Sequence, residues 1–390
     1  MSSCFHITNA LRPPKVLLPI FLMLWLSPSL AAQSTRKVII DQDARGPATT
    51  DQQAMMILLQ APGVETLGIT IVSGDQWRDT EVAHTLRMLE LIGRTDIQVY
   101  PGAVFPLINS KELIARWEKL YGKVSYQGAW NQAKVGTYSG QWNQERYHEA
   151  YEVPQLAEGN PTTKAAPEDA AHFIVRMLNK FPHQVTLYAG GPLTNLAQAI
   201  SIDPQVPDLA QELVVMGGSI APNVEMPWIA SNRREFNFWW DPEATHITLC
   251  APWHKITVTT VDISVKTKLT KAMIQEIARS HTPIGQYFEK YADEEFMWDE
   301  LAALAWIDPS IITKEEQMYM DIDYSHGASY GNTLVWPKGE QPGLGEQFVH
   351  VPVDVDVKKF YSTFMQLMTQ PSPKSGAPAS TSGGLNAAIN

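Results

Sequence analysis

The chain has 390 residues with 41 Asp plus Glu against 30 Lys plus Arg, a formal charge of −11 that argues against a large basic face for nucleic acid. Hydrophobic residues make up 44% and charged residues 18%, too apolar for a wholly disordered chain and enough to bury a core. The length alone allows two or three domains, but α/β architectures often exceed roughly 250 residues as one unit, and the strand pattern below favours one.

Residues Met1 to Ala32 carry Arg12 and Lys15, then the apolar run Val16 to Leu26, then small residues around Ser29, Ala31 and Ala32. That layout predicts a signal peptide over residues 1–32 and an exported protein, periplasmic or secreted. No later segment reaches the roughly 20 apolar residues of a spanning helix, so no membrane span is expected in the mature chain. Cys4 falls in the removed segment, and Cys250 alone offers neither a disulfide framework nor a cysteine-based metal site. From residue 33 the chain alternates. Lys37 to Ile40, Val64 to Val72, Ile97 to Tyr100, Val185 to Tyr188, Leu213 to Met216 and Ile256 to Val261 are continuously apolar, the pattern of strands buried on both faces. Thr80 to Ile92 places Val82, Leu86, Leu89 and Ile92 on one stripe with Gly93 as a stop, and Pro167 to Asn179 opens with Glu168 and Asp169; both predict helices. The expected fold is an open, mostly parallel α/β sheet flanked by helices, one domain over residues 33–370. Residues 110–161, rich in Trp, Tyr, Gln, Asn and Gly, form a long insertion expected to act as a lid. Residues 371–390 are Pro, Ser, Gly and Ala with almost no large apolar group, and are expected to be a disordered tail.

In such a sheet the ligand site lies beyond the carboxyl ends of the strands. Those ends read Asp41-Gln42-Asp43, Ser73-Gly74-Asp75, Pro101-Gly102, Gly190-Gly191-Pro192-Leu193-Thr194-Asn195, Met216-Gly217-Gly218 and Asp262. Glycines let backbone approach a ligand closely, and carboxylate oxygens suit Ca²⁺ or Mg²⁺. Trp298-Asp299-Glu300 opens a further Ala/Leu helix, where Asp299 has the simpler alternative of complementing the helix dipole. Asp43 and Asp51 have bland alternatives as turn or N-cap residues. A DxD after an apolar strand is also the nucleophile pattern of haloacid dehalogenase phosphatases, but DQDARGP lacks their small Gly-Thr continuation.

Seven segments in order resemble the nucleoside hydrolase (inosine-uridine-preferring N-ribohydrolase) family: DQDARGPATTDQQAMMILL, LGITIVSGD, VYPGA, GPLTN, VVMGG, EFNFWWDPEA and WDELAALAWIDP. The resemblance implies a Ca²⁺ ion at the strand ends and water-driven cleavage of the bond between ribose and nucleobase. It assigns the metal ligands to Asp43, Asp51, Asp299 and a backbone carbonyl, taken as that of Gly190, and the general base to Asp43, with Asp41 orienting from behind. Glu235 and Asn237 match residues that hold ribose hydroxyls, and an extended segment would point both side chains the same way; a solvated charge beside Arg233 and Arg234 is the rival for Glu235. Asn223 or Asn232 would supply a further amide. The implied partner is a free nucleoside or related N-riboside, and the state of assembly is left open, dimers and tetramers occurring among relatives.

Several positions depart from the family pattern. Thr50 stands where an aspartate adjacent to Asp51 grips the sugar, a neutral and weaker partner. Arg45, Gly46 and Pro47 lengthen the first loop. Asp75 stands where asparagine is expected, and an acceptor there would make up for the weaker grip of Thr50 on the sugar. Trp298 occupies the place of a histidine that protonates the leaving base, which indole cannot do, so it would stack on base or sugar or simply pack. His148, the one histidine of the insertion, is the candidate replacement acid, with a surface histidine as the plainer reading. A Ca²⁺ and ribose-binding protein without efficient cleavage is therefore the second functional reading.

Overall fold

The computed structural model describes residues 35–124, 126–130, 147–221 and 234–372. The expected signal peptide, most of the expected tail, the middle of the insertion, Asn223 and Asn232 lie outside the described residues.

In chain order the strands are β1 (Arg36–Gln42), β2 (Val64–Ile71), β3 (Val99–Pro101), β4 (Val185–Ala189), β5 (Glu212–Met216), β6 (Ile256–Thr259), β7 (Lys268–Leu269), β8 (Glu295–Phe296), β9 (Ile312–Ile322), β10 (Thr333–Trp336) and β11 (Gln347–Val355). The helices are α1 (Thr50–Gln60), α2 (Arg78–Ile92), α3 (Lys111–Tyr121), α4 (Ala170–Lys180), α5 (Thr194–Ile202), α6 (Val206–Leu209), α7 (Phe236–Trp240), α8 (Pro242–Leu249), α9 (Val261–Ser264), α10 (Lys271–Ala278), α11 (Pro283–Tyr291), α12 (Trp298–Ile307) and α13 (Val357–Thr369).

Nine strands form one sheet in the order β10-β9-β11-β6-β5-β4-β1-β2-β3. All neighbours from β11 to β3 are parallel, and β9 runs antiparallel to both β11 and β10. The mostly parallel sheet expected from continuous apolar runs is therefore present. Ile39, Leu187, Leu213 and Val258 face one core layer, and Val38, Ile40, Tyr188 and Val214 the other, so successive residues of one strand feed opposite layers. The antiparallel extension escaped the sequence reading because β9, ITKEEQMYMDI, leaves most of its first half exposed and carries no apolar run.

Strand β1 is flanked by β4 on one side and β2 on the other, so the chain leaves its carboxyl end where the order of connection reverses. The crevice between the ends of β1 and β4 is the place where such sheets bind ligands. Gly93 ends α2 with φ of 76°, the left-handed conformation that suits glycine and stops a helix. Within the insertion, α3 joins Trp117 to a small aromatic cluster with Trp77, Trp130, Trp239, Trp240 and Tyr330, and the Trp117 indole donates to the Gly327 carbonyl at 2.8 Å. These described parts of the insertion are fastened to the body. Among the described residues, no helix is long and apolar enough to cross a membrane.

Candidate active site

Asp41 is the last residue but one of β1 and Asp43 stands just past the end of the strand, and the two take different partners. Asp41 points into the sheet, where Oδ1 accepts from Thr70 Oγ1 at 2.5 Å and Asn195 Nδ2 at 2.7 Å. Burial raises its carboxyl to about 7 against the pull of those two donors. Asn195 Oδ1 in turn accepts from the Ala103 N–H at 2.8 Å, so Asp41 ties together the turns after β3 and β4.

Asp43 is 1% exposed. Its Oδ2 accepts the Asp75 N–H at 3.0 Å, and Gly74 and Gly191 crowd it from two sides. A Cβ on Gly191 would lie 2.7 Å from both the backbone nitrogen and Oδ1 of Asp43, and one on Gly74 would overlap Oδ2. Glycine at these strand ends is thus required by close approach.

Asp51 sits in the first turn of α1 and Asp299 in the first turn of α12, two helices that pack side by side. Asp51 Oδ2 accepts from Thr49 Oγ1 at 2.9 Å, and Asp299 Oδ1 accepts from Gln42 Nε2 at 3.4 Å. Gly190 approaches Asp299 and Gln42 so closely that a Cβ there would overlap both side chains. The structure therefore brings Asp43, Asp51, Asp299 and Gly190 to one crevice.

Electrostatics shows how crowded it is. Asp43 is pushed well above the usual carboxylate range by burial and then by Asp75, Asp51, Glu81 and Asp299. Asp51 is raised by burial and by Asp299 and Asp75. Asp299 rises to about 8, with burial as the main cause. Several buried carboxylates with one neighbouring guanidinium among the described residues, that of Arg45, call for a cation. The donor set fits a hard ion: carboxylates, a backbone carbonyl and the Gln42 Oε1, which is buried with no hydrogen-bond partner.

Several positions differ from the sequence reading. Residues 235–237 are not extended: Glu235 caps α7, accepting from the N–H groups of Asn237 at 2.9 Å and Phe238 at 3.1 Å, and also from Gly218 at 2.8 Å. It is buried and raised to about 7 by that burial, so the solvated surface charge is excluded. Asn237 points its Nδ2 at the Gly190 carbonyl (2.9 Å) and the Met216 carbonyl (3.2 Å), joining the ends of β4 and β5. Gly217 and Gly218 make room for Phe238, the residue after Asn237, and Gly218 also has φ of 74°.

Thr50 turns its hydroxyl to the start of α12. It accepts from the Asp299 N–H at 3.1 Å and lies 2.6 Å from Glu300 Oε2 and 3.2 Å from Asp299 Oδ2. Asp75 is engaged by Tyr126, whose hydroxyl donates to Oδ1 at 2.6 Å, and by Arg45 at 3.8 Å. Arg45 also reaches Tyr126, so the loop insertion delivers a cation to Asp75. Trp298 packs its ring on Phe296 at 5.0 Å, at the margin of the core. His148 is 2% exposed, with Nε2 3.3 Å from Thr80 Oγ1 and Nδ1 3.1 Å from the Glu149 carbonyl. It is buried and so is not a surface histidine; Nε2 ties it to Thr80 of α2, while Nδ1 meets the carbonyl of its own neighbour. Sequence reasoning passed over Gln42, Glu81 and Glu300. Gln42 and Glu300 each stand beside an aspartate of a motif and Glu81 lies within a helix, so only burial sets them apart.

A family model described as inosine-uridine preferring nucleoside hydrolase matches residues 38–362. The chain is 29% identical to a probable uridine nucleosidase 2 of Arabidopsis thaliana, over 68% of this chain and 71% of that protein. It is 25% identical to the pyrimidine-specific ribonucleoside hydrolase RihB of Escherichia coli O9:H4, over 82% and 94%. In fold it is similar to a plant nucleoside hydrolase (TM-score 0.66, 24% identity, 86% of this chain and 100% of that one). A purine-preferring ribonucleoside hydrolase from Gardnerella vaginalis is similar to it in fold as well (TM-score 0.65, 22% identity, 86% and 98%).

Proposed function

Because the chain belongs to the inosine-uridine preferring nucleoside hydrolase family, we propose that it cleaves its nucleosides with Ca²⁺ held by Asp43, Asp51, Asp299 and the Gly190 carbonyl, and with Asp43 as general base. The protein is a glycosidase that hydrolyses the N-glycosidic bond of ribonucleosides. Its DxD motif accordingly belongs to a nucleoside hydrolase loop and is not a phosphatase nucleophile.

The observation that carries the proposal is the convergence of three buried aspartates, with Asp43 raised by burial and in part by Asp51 and Asp299, and Asp51 by burial and in part by Asp299. When bound, Ca²⁺ would neutralise them, acidify an attacking water and gather sugar hydroxyls. Asp43 takes the proton of that water at its carboxylate, a role supported by its position between the Asp75 N–H and Gly191. As the base departs, the sugar gains oxocarbenium character, and the surrounding carboxylates stabilise that positive charge. Glu235, fixed by three backbone N–H groups, keeps a lone pair on Oε1 free to accept a ribose hydroxyl. Asp41 acts from behind, holding the turns together.

A weakly cleaving Ca²⁺ and ribose-binding member of the family is the second reading, favoured by Thr50, whose hydroxyl is taken by α12, and by Trp298, which is packed. One experiment decides between them. Chelated and Ca²⁺-restored protein is offered a panel of ribosides, starting with uridine, since relatives are named for uridine and pyrimidine ribonucleosides. Fast base release that needs Ca²⁺ is expected; sugar binding with only slow release from every riboside would establish the second reading. The layout of residues 1–32 supports export, checked by fractionating cells and finding the protein outside the cytoplasm.

A further inference from the structure

Cys250 has no part in the site above. It follows α8 directly, and its N–H donates to the His246 carbonyl at 3.0 Å, so the i, i+4 pair shares one helix face. Asp321, near the end of β9, faces both. His246 Nδ1 lies 2.9 and 3.0 Å from the two Asp321 oxygens and 3.6 Å from Cys250 Sγ. One donor atom from each residue lies within 4.8 Å of the others.

We infer that His246, Cys250 and Asp321 form a binding site for a zinc-class divalent ion, held by Nδ1, Sγ and a carboxylate oxygen and separate from the aspartate crevice. Five strand positions separate β9 from β1, about 24 Å at the usual spacing.

Three observations carry this. First, tetrahedral zinc with its usual bond lengths sets sulfur and nitrogen about 3.6 Å apart, and nitrogen and oxygen about 3.4 Å apart. The sulfur–nitrogen separation here is 3.6 Å, and the hydrogen-bonded Asp321 oxygen, at 2.9 Å from Nδ1, would recede from it by about half an ångström. Second, nitrogen, thiolate and carboxylate together select a borderline ion over Ca²⁺, which takes oxygen only. Third, the His246 side chain keeps 25% of its surface and Asp321 keeps 8%, so a fourth position opens to water while the set stays mostly shielded.

The charge environment agrees. Burial, then Asp321 and Glu346, push the Cys250 thiol up to about 12, and the hydrogen bond to Asp321 raises His246. The same negative surroundings that resist a lone thiolate favour a dication beside it. Ion uptake therefore expels the thiol proton to solvent, and affinity rises with pH. The ring packs against Tyr324 at 4.2 Å, tilted by 32°, which restricts its rotation. A bound ion would pin α8 to β9 and so brace the helix pair that begins at Glu235.

The test uses the full chain carrying Cys4→Ser, so that Cys250 is its one thiol, stripped with chelator and then saturated with Ca²⁺. Titration with Co²⁺ should give one equivalent with a near-ultraviolet sulfur-to-cobalt band, which Zn²⁺ then bleaches. Ca²⁺ sites of carboxylate and carbonyl cannot give that band. Cys250→Ser should abolish it, and Asp321→Asn should weaken Zn²⁺ binding by more than the roughly 10-fold to 100-fold cost of losing an outer-shell partner. Metal-free melting temperatures of both variants report whether they fold. Absence of the band in folded Cys4→Ser protein, or Zn²⁺ affinity equal to the parent's in both folded variants, overturns the site.

Discussion

Asp43 faces Asp51, Asp75, Glu81 and Asp299 inside the protein, so each further ionisation in that crevice is harder than the one before. Replacing Asp43 by Asn removes both a proton acceptor and a proposed ligand. Turnover on a cleaved nucleoside should fall by at least the roughly 10² to 10⁴ that a general base supplies, with bound Ca²⁺ weakened when read by calorimetry. Thr50 makes a different prediction. Its hydroxyl is the side-chain partner of buried Glu300 and of the Asp299 N–H. Thr50→Val should cost about 1–3 kcal/mol in urea unfolding, because both groups stay buried without it. Asp75→Asn separates charge from shape: the Tyr126 hydrogen bond can persist while the Arg45 attraction disappears. Weakened sugar binding with the fold intact is expected, and unchanged binding and turnover would remove Asp75 from the site.

Among the elements, the segment after the insertion is tied to α2 by one carboxylate. Glu90 accepts from the backbone N–H groups of Thr162 and Thr163 at 2.6 and 2.7 Å, from both hydroxyls at 2.9 Å and from Arg87 at 2.9 Å. Burial alone would raise its carboxyl, but these donors outweigh it and hold it down at about 2. A depressed carboxylate contributes stability that is fully present above its unfolded value, about 4.3, and lost as pH falls toward the folded one. Glu90→Gln should therefore cost roughly 1 kcal/mol at neutral pH, after allowance for solvent screening, and flatten the acid limb between about pH 4.3 and about pH 2 in thermal melts. At this scale the regular elements were legible and their exceptions were not. The apolar strands and α2 announce themselves because their periodicity is local. The five-residue α7 does not, because one turn has no periodicity and nothing in the sequence marks Glu235 as a cap until its three N–H donors are seen.

For the whole molecule, removing divalent ions should matter beyond catalysis. A ligand that binds only the folded state stabilises it by about 2.7 kcal/mol at one hundred times its Kd. Ca²⁺ added to chelated protein is thus expected to raise the melting temperature with its concentration, and Asp51→Asn should blunt that rise; a melting curve indifferent to Ca²⁺ would leave the aspartate crevice without its proposed ion. The sequence by itself determined the sheet type and the order of the seven motifs, each a short contiguous string, and the resemblance that those motifs carry implied the gathering of Asp43, Asp51, Asp299 and Gly190, two of which stand in the first turns of helices. Only the tertiary structure decided that Glu235 is a helix cap, that Thr50 belongs to α12, that His148 is a fastener, and that a lone cysteine has a histidine and an aspartate beside it. Those facts depend on contacts between residues as much as 250 positions apart in the chain. Packing makes such contacts, and no local pattern of hydrophobicity or charge records them.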